Sequence, residues 1–444
     1  MPFQINIIPI LTAIATITAA ILPSSAQPSM PRDTLNLTVD EAVSQALAHN
    51  RQLRIAALEI DKAHSLLRWS GRLRNPILEL GGASDQWANN DDENAFEIAF
   101  TQSFPLTSRL KNEKSLRRVQ VILAEAELAE ARRHLAKEVA ENAINLVAAK
   151  AHNDLLRQLK ELNNEIVAFL KKGAESGEVS NLEVTQARLN SSALAQRINA
   201  IRIQSIDLEE SLKKLLALQP TQALSLVKPR ALPPNAPDRL MPADPIFKER
   251  PDYAIALIQS DVADAEKALA YSQRWEDIAL RLFASRYNTV DEPIGLDENT
   301  LFGISISIPL PFWKRNREAI DHAAINLEAA RQTIAARELF IRLELAAALE
   351  KRFATYELAA EASGETLQLA QENLQAFRTA YESGQATLLQ LQRAQEQELE
   401  LLTAALELTT GYHLAANEVR FVSADYSGIQ TPAQDSNSSP NDEK

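Results

Sequence analysis

Apolar positions along this chain follow two periods, and the switches between them mark out the elements. From Leu106 to Lys172 there is no glycine and no further proline, and Ala, Leu, Val and Glu recur at helical spacing. That spacing predicts one helix roughly 100 Å long at 1.5 Å per residue. Gly173 and Gly177 are predicted to end it, and a return helix over about 178–218 covers ~60 Å by the same rise. A leading helix over about 39–69 supplies ~45 Å more, so the two shorter helices together match the long one. The pattern then repeats with a leading helix near 252–273, a long helix over about 314–381 and a return helix over about 386–421. These are stacked antiparallel hairpins, and alanines such as Ala124, Ala126, Ala129, Ala131, Ala136, Ala140 and Ala143 allow close helix approach. A coiled-coil rod in water explains the helices equally well.

The short period-2 segments carry more information. In 96–104, Phe96, Ile98, Phe100 and Phe104 alternate with Glu97, Thr101 and Ser103; in 302–308, Phe302, Ile304, Ile306 and Ile308 alternate with Gly303, Ser305 and Ser307. Each has an upstream partner, about 74–83 and about 277–287, the latter with Ile278, Leu280 and Leu282 in phase. The joining loops, 84–93 and 288–299, are rich in Asn and Asp and are expected to be solvated. Two hairpins, about 72–105 and 277–309, therefore sit at one end of a rod, and strands of ~9–11 residues with apolar-out, polar-in alternation fit a transmembrane β-barrel. A half-buried hairpin packed on helices shows the same alternation. Against it, four strands on helices this long have no evident soluble core to face. In lipid an open sheet edge leaves backbone groups unsatisfied, so a barrel has to close. Four strands are too few, since the smallest such barrels have about eight, so several chains must share one.

The chain is a duplicated unit with an offset of about 204 residues. Phe104-Pro105-Leu106 falls on Ile308-Pro309-Leu310, Asn112 on Asn316, Leu116 on Ile320, and Glu175-Ser176-Gly177 on Glu382-Ser383-Gly384. The repeats run over 27–218 and 251–424, joined by a Pro-rich linker over 219–250 that cannot continue a helix. Residues 5–22 form an apolar run followed by Pro23-Ser24-Ser25-Ala26-Gln27, which fits a signal peptide over 1–26 cleaved after Ala26. The rival reading is a single membrane anchor of ~18 residues. The tail over 425–444, rich in Ser, Asn, Asp and Pro, is expected to be disordered.

Composition narrows the function. A net charge of −13 argues against a nucleic-acid partner, because phosphate recognition rests on Lys and Arg. The absence of cysteine excludes thiolate metal sites, disulfides, cysteine nucleophiles and a lipidated N-terminal cysteine. The 11 glycines form no phosphate-binding loop, and the six histidines (His49, His64, His134, His152, His322, His413) fall in no HxH or HExxH spacing. No catalytic residue, cofactor or metal site is expected.

In the order and spacing of its motifs the chain resembles the TolC-like outer-membrane efflux proteins, most of all the heavy-metal efflux subfamily typified by CzcC. The carriers are Leu37-Thr38-Val39-Asp40-Glu41-Ala42 with Ala48-His49-Asn50, Arg74-Asn75-Pro76, the two strand-ending X-Pro-Leu motifs and the duplicated Glu-Ser-Gly turns. The resemblance spans about 37–424. It implies a mainly α fold with a small β part: long α-hairpins forming a helical tunnel, and four strands per chain in a shared twelve-stranded trimeric barrel. It further implies a homotrimer in outer-membrane lipid, its periplasmic end meeting an adaptor and an inner-membrane pump of the resistance-nodulation-division type. The cargo implied is heavy-metal cations. A drug-efflux or type I secretion duct of the same fold remains an alternative, as does an adaptor-like periplasmic coiled-coil protein.

The resemblance makes the helix-to-helix turns the periplasmic tips: Gly173, Glu175, Ser176, Gly177 and Glu178 in one, Glu382, Ser383 and Gly384 in the other. Turn chemistry alone explains the glycines. In a trimer the carboxylates would form acidic rings able to attract cations or close the entrance, with charge repulsion between ring members opposing closure.

Overall fold

The computed structural model describes residues 34–84, 93–177, 179–229, 231–239, 249–291 and 295–425. The expected signal peptide, the tail beyond Asp425 and Glu178 lie outside them. After β1 (Thr34–Leu37), the first half runs α1 (Val39–His49), α2 (Arg51–Trp69), β2 (Ile77–Ser84), β3 (Asn94–Phe104), α3 (Arg109–Glu175) and α4 (Asn181–Leu215). The linker contributes β4 (Ala223–Leu226). The second half runs α5 (Pro251–Ser272), β5 (Ile278–Asp291), β6 (Gly295–Ser307), α6 (Arg317–Ala362), α7 (Glu365–Glu382) and α8 (Leu388–Val422).

α3 is the spine, 67 residues and about 100 Å by its rise. α4 and α8 pair with it toward one end, while α1, α2 and α5 pack nearer the other. Small residues set the close approach: Ala136, Ala140 and Ala143 of α3 and Ala42 and Ala46 of α1 are all buried in one core with Leu146, Leu212 and Leu216. The repeat shows in side-chain roles. Leu116 and Ile320 are both buried, and Asn112 and Asn316 donate to the Ala268 and Ala270 carbonyls near the end of α5.

Several elements differ from the sequence expectation. The leading helix over 39–69 is two helices broken at Asn50, whose extended backbone ends α1 and starts α2. Its amide oxygen accepts from the N–H groups of Gln52 and Leu53, and its amide nitrogen donates to Leu215 O at 2.9 Å. Gly173 does not end the first long helix, which runs on to Glu175. The second long helix is interrupted at Ser363-Gly364, where Gly364 adopts φ −97°, ψ −134°, incompatible with a continuing helix. The linker, expected to be ordered but without regular structure, contains a strand: β4 pairs in parallel with β1, from Thr34↔Ala223 to Leu37↔Leu226. The segment 288–299 is mostly strand, because β5 and β6 keep pairing out to Asp291↔Gly295. Asn and Asp there mark the polar outer part of a hairpin rather than a long loop.

A buried ion cluster ties the C-terminus of α8 to the body of the molecule. Arg250, 1% exposed, donates to Asp252 through Nε (2.9 Å) and Nη2 (2.6 Å), to Glu344 (3.0 Å) and to Val422 O (3.1 Å). Arg133, also buried, donates to Phe421 O at 2.9 Å and to Glu130, and its guanidinium lies 4.0 Å from the centre of the Phe421 ring. Two cations thus hold the final carbonyls of α8, where the helix dipole favours positive charge. The sequence signal was present but unread: Arg250-Pro251-Asp252 carries proline at the first helical position and an acid in the first turn.

Candidate functional site: the sheet and the helical tips

β2, β3, β5 and β6 form one antiparallel sheet in the order β2-β3-β5-β6. Its register explains which side chains share a face, since directly paired residues point the same way. Leu78, Phe100, Leu282 and Ile304 stand in one row across all four strands. The next row is Leu80, Ile98, Ala284 and Phe302, and Gln102, Leu280 and Ile306 form the row on the other side. Phe96, Phe104 and Ile278 fall on the same face. Ile308 lies one residue beyond β6 but in phase with it. All eleven residues singled out from the alternation therefore come together on one face. Nine of them are exposed, Phe302 at 79%, while Ile278 and Leu280 are half-buried. Leu78 and Leu80, exposed on the same face, were missed because Gly81 and Gly82 cut short the apolar alternation of β2.

The opposite face is mixed and carries the sheet's charged cluster, beside apolar Ile77, Phe283 and Leu301. Arg281 reaches Glu79 at 3.3 Å and also pairs with Glu97, bridging three strands. Phe283 lies across Gly303, where a Cβ would stand 2.3 Å from the ring, so glycine is the residue that fits. Among the described residues each outer strand, β2 and β6, has a single neighbour, which leaves two open edges. No described helix is long and apolar enough to cross a membrane. The sheet face carries exposed apolar side chains in continuous rows, and exposed apolar residues such as Leu182, Ile203 and Ile325 also occur on the helices.

At the other end, the turns after α3 and α7 stand side by side over a shared core. Leu170, Val184 and Ala187 of the first hairpin meet Leu374, Leu388 and Leu391 of the second, with Tyr381 packed against them. Gly177 and Gly384 take φ +81° and +75°, the left-handed conformation that ends a helix and favours glycine. Gly173 instead serves close approach, since a Cβ there would lie 2.6 Å from a Val179 methyl. The hydroxyls of Ser176 and Ser383 donate back to carbonyls of their own helices, Gly173 O at 3.0 Å and Thr379 O at 3.0 Å. Glu175 is exposed. Glu382 is not a free carboxylate, because Arg378 donates to it at 3.3 Å and to Glu165 of α3 at 3.0 Å. Burial, with the charge and hydrogen bond of Glu183, pushes the Tyr381 hydroxyl up to about 12. Residues Glu165, Glu183, Arg378 and Tyr381 carry no turn signature, so sequence reasoning passed over them. Among the described residues no cluster of metal-ligating side chains occurs.

Paired α-hairpins of this length, carrying an open-edged sheet with one apolar face, define the class: a subunit of an outer-membrane channel. The chain belongs to the outer membrane efflux protein family, whose model matches residues 42–218 and 246–424. It is 26% identical to the cation efflux system protein CusC of Escherichia coli O6:H1 strain CFT073 over 414 residues, covering 87% of this chain and 85% of that protein. In fold it is similar to the crystal structure of CusC (TM-score 0.69, 20% identity, 90% of this chain and 95% of the other). It is similar also to the CmeC outer-membrane channel of Campylobacter jejuni (TM-score 0.70, 17% identity, 87% and 85%). The protein is an outer-membrane efflux channel subunit with its helices in the periplasm.

Proposed function

We propose that three copies of this chain close a twelve-stranded barrel and that the assembly serves as a passive duct for cations, without catalysis. The observation that carries the reading is the sheet. Its two unpaired edges and exposed apolar rows are stable in lipid only if neighbouring chains complete the ladder. On this reading the residues from Phe96 to Phe104, Ile278 to Leu282 and Phe302 to Ile308 in apolar phase face lipid, and Glu79, Glu97 and Arg281 face the lumen. The tips, including Glu175 and Gly177, would meet a periplasmic adaptor coupled to an inner-membrane pump. The similarity to a cation efflux protein favours cations as cargo over drugs or polypeptides.

The natural absence of cysteine makes the oligomer directly testable. Leu78→Cys and Ile304→Cys, one on each edge strand, should cross-link between chains with a flexible bis-maleimide and give a ladder that stops at three. Monomer alone would refute the shared barrel. A deletion strain challenged with metal salts and efflux drugs tests the cargo: selective metal sensitivity, restored by the gene, is expected, and selective drug sensitivity would overturn the cation assignment.

A further inference from the structure

All four strands of the sheet connect to the helices at the same end, as the pairings Ile77↔Thr101, Phe104↔Ile278 and Ala279↔Ser307 require. The connecting segments there, 68–76, 105–118, 272–277 and 308–318, hold 12 basic and 4 acidic residues, net +8, in a chain whose net charge is −13. This is a strong local reversal of charge at one level of the molecule.

The same level is apolar in a specific way. The phase of the exposed sheet face continues past the last ladder bond, through Leu106 after β3 and through Ile308, Leu310 and Phe312 after β6. It ends at Trp313, 93% exposed and edge-on to Phe312, directly before Lys314 and Arg315. Trp69, exposed, lies under the Arg72 guanidinium at 4.1 Å, and exposed Trp275 follows Arg274. The collar is held in place beneath by half-buried contacts: Arg109 pairs with Asp277 at 2.7 Å, and Thr107 donates to Ser272 O at 2.6 Å. Arg72, Arg274, Lys314 and Arg315 are exposed above that joint.

Indole and phenyl rings with one apolar and one wet side sit at the headgroup level of a membrane. Basic residues at that level are attracted to anionic lipid. We infer that this collar is a binding surface for anionic phospholipid headgroups at the periplasmic surface of the outer membrane, with Arg72, Arg274 and Arg315 holding the phosphates and Trp313 and Trp275 seated among the glycerol and upper acyl groups. The surface anchors the barrel at a fixed depth, in a chain with no cysteine to carry a lipid of its own. The inference rests on the barrel reading given above.

The test uses the full chain with Trp87→Phe, reconstituted in phosphatidylcholine vesicles, with brominated acyl chains placed either on phosphatidylglycerol or on phosphatidylcholine. Quenching of the remaining tryptophans should report about a fivefold preference for phosphatidylglycerol, the scale expected for one basic residue near an anionic surface. The quadruple variant Arg72→Gln, Arg274→Gln, Lys314→Gln, Arg315→Gln should lose the preference while quenching by brominated phosphatidylcholine persists, which shows that the variant still inserts. Equal quenching by the two lipids in the unmodified collar would overturn the inference and leave the barrel standing. Displacement of phosphatidylglycerol by millimolar inorganic phosphate would also overturn it, in favour of a site for free anions. No quenching by either lipid would refute the barrel reading itself, and the collar with it.

Discussion

Arg250→Met tests whether the buried ion cluster holds the C-terminus of α8 to the start of α5 and to α6. The methionine fills similar space but removes four donated hydrogen bonds: two to Asp252, one to Glu344 and one to the Val422 carbonyl. Losing one partner of a buried pair costs about 3–5 kcal/mol, because the other charge stays behind unpaired. Here Asp252 keeps Arg133 at 3.6 Å and Arg337 at 3.7 Å, so the low end applies. A loss of about 3 kcal/mol is roughly a hundredfold in the unfolding equilibrium. The assay is urea unfolding of the full chain in detergent, followed by the helical circular dichroism signal. The double variant Arg250→Met, Asp252→Leu removes both charges and should recover most of the loss, since an apolar pair in place of a buried ion pair is often neutral. A single-variant effect below about 1 kcal/mol, the scale of a solvated pair, would refute the reasoning. So would strict additivity of the two substitutions. The pH dependence follows from Asp252. Burial alone raises its carboxyl, but the hydrogen bonds and charge of Arg250, helped by Arg133 and Arg337, outweigh burial and hold it below its ordinary 3.8. A depressed carboxyl contributes its stability above the unfolded value and loses it as pH falls through the folded one. The gap between the natural chain and Asp252→Asn should therefore be full at neutral pH and close below about 4.

Ile304→Asp and Ile306→Lys place a charge in the exposed apolar rows, and each should block membrane assembly, read as loss of the detergent-extracted oligomer; a lysine at the bilayer midplane costs about 2–4 kcal/mol per copy. Gly384→Ala should destabilise the tip by about 1–2 kcal/mol, because its φ of +75° is left-handed, and Gly177→Ala should act alike; protease cleavage at the turn reports both. Glu398→Gln should stabilise the helical part at neutral pH. Burial raises the Glu398 carboxyl above its ordinary 4.5, so its stability is full below that value and lost as pH rises through the folded one, and the gain from glutamine should vanish in acid.

The sheet was the most legible part of this chain, because period-2 alternation is a local property and survives any tertiary arrangement. What it could not give was the extent of β5 and β6, whose outer residues are polar and are held by pairing alone. The break at Asn50 was hidden for the opposite reason. The segment around it keeps helical spacing, and the kink is fixed by a hydrogen bond to Leu215 O, 165 residues away. The break at Ser363-Gly364 was readable, since glycine after serine inside a helical run is a local stop signal. At the tips the turns were visible as Glu-Ser-Gly. The side chains that join the hairpins, Arg378 and Tyr381, matter only because α3 and α4 arrive beside them.

The two halves of the duplication have also diverged mechanically. In the first, an unbroken ladder of backbone bonds runs from Arg109 to Glu175, and the hairpin is a stiff post. In the second, the ladder is cut at Ser363-Gly364, leaving an 18-residue arm between that joint and the tip. The arm is about 27 Å long at the helical rise, so a tilt of about 10° at the joint carries its turn through about 5 Å. The return helix α8 runs unbroken beside both α6 and α7, so the joint frees the backbone ladder on only one side of that hairpin, and α8 and the shared tip core set how far the arm can swing.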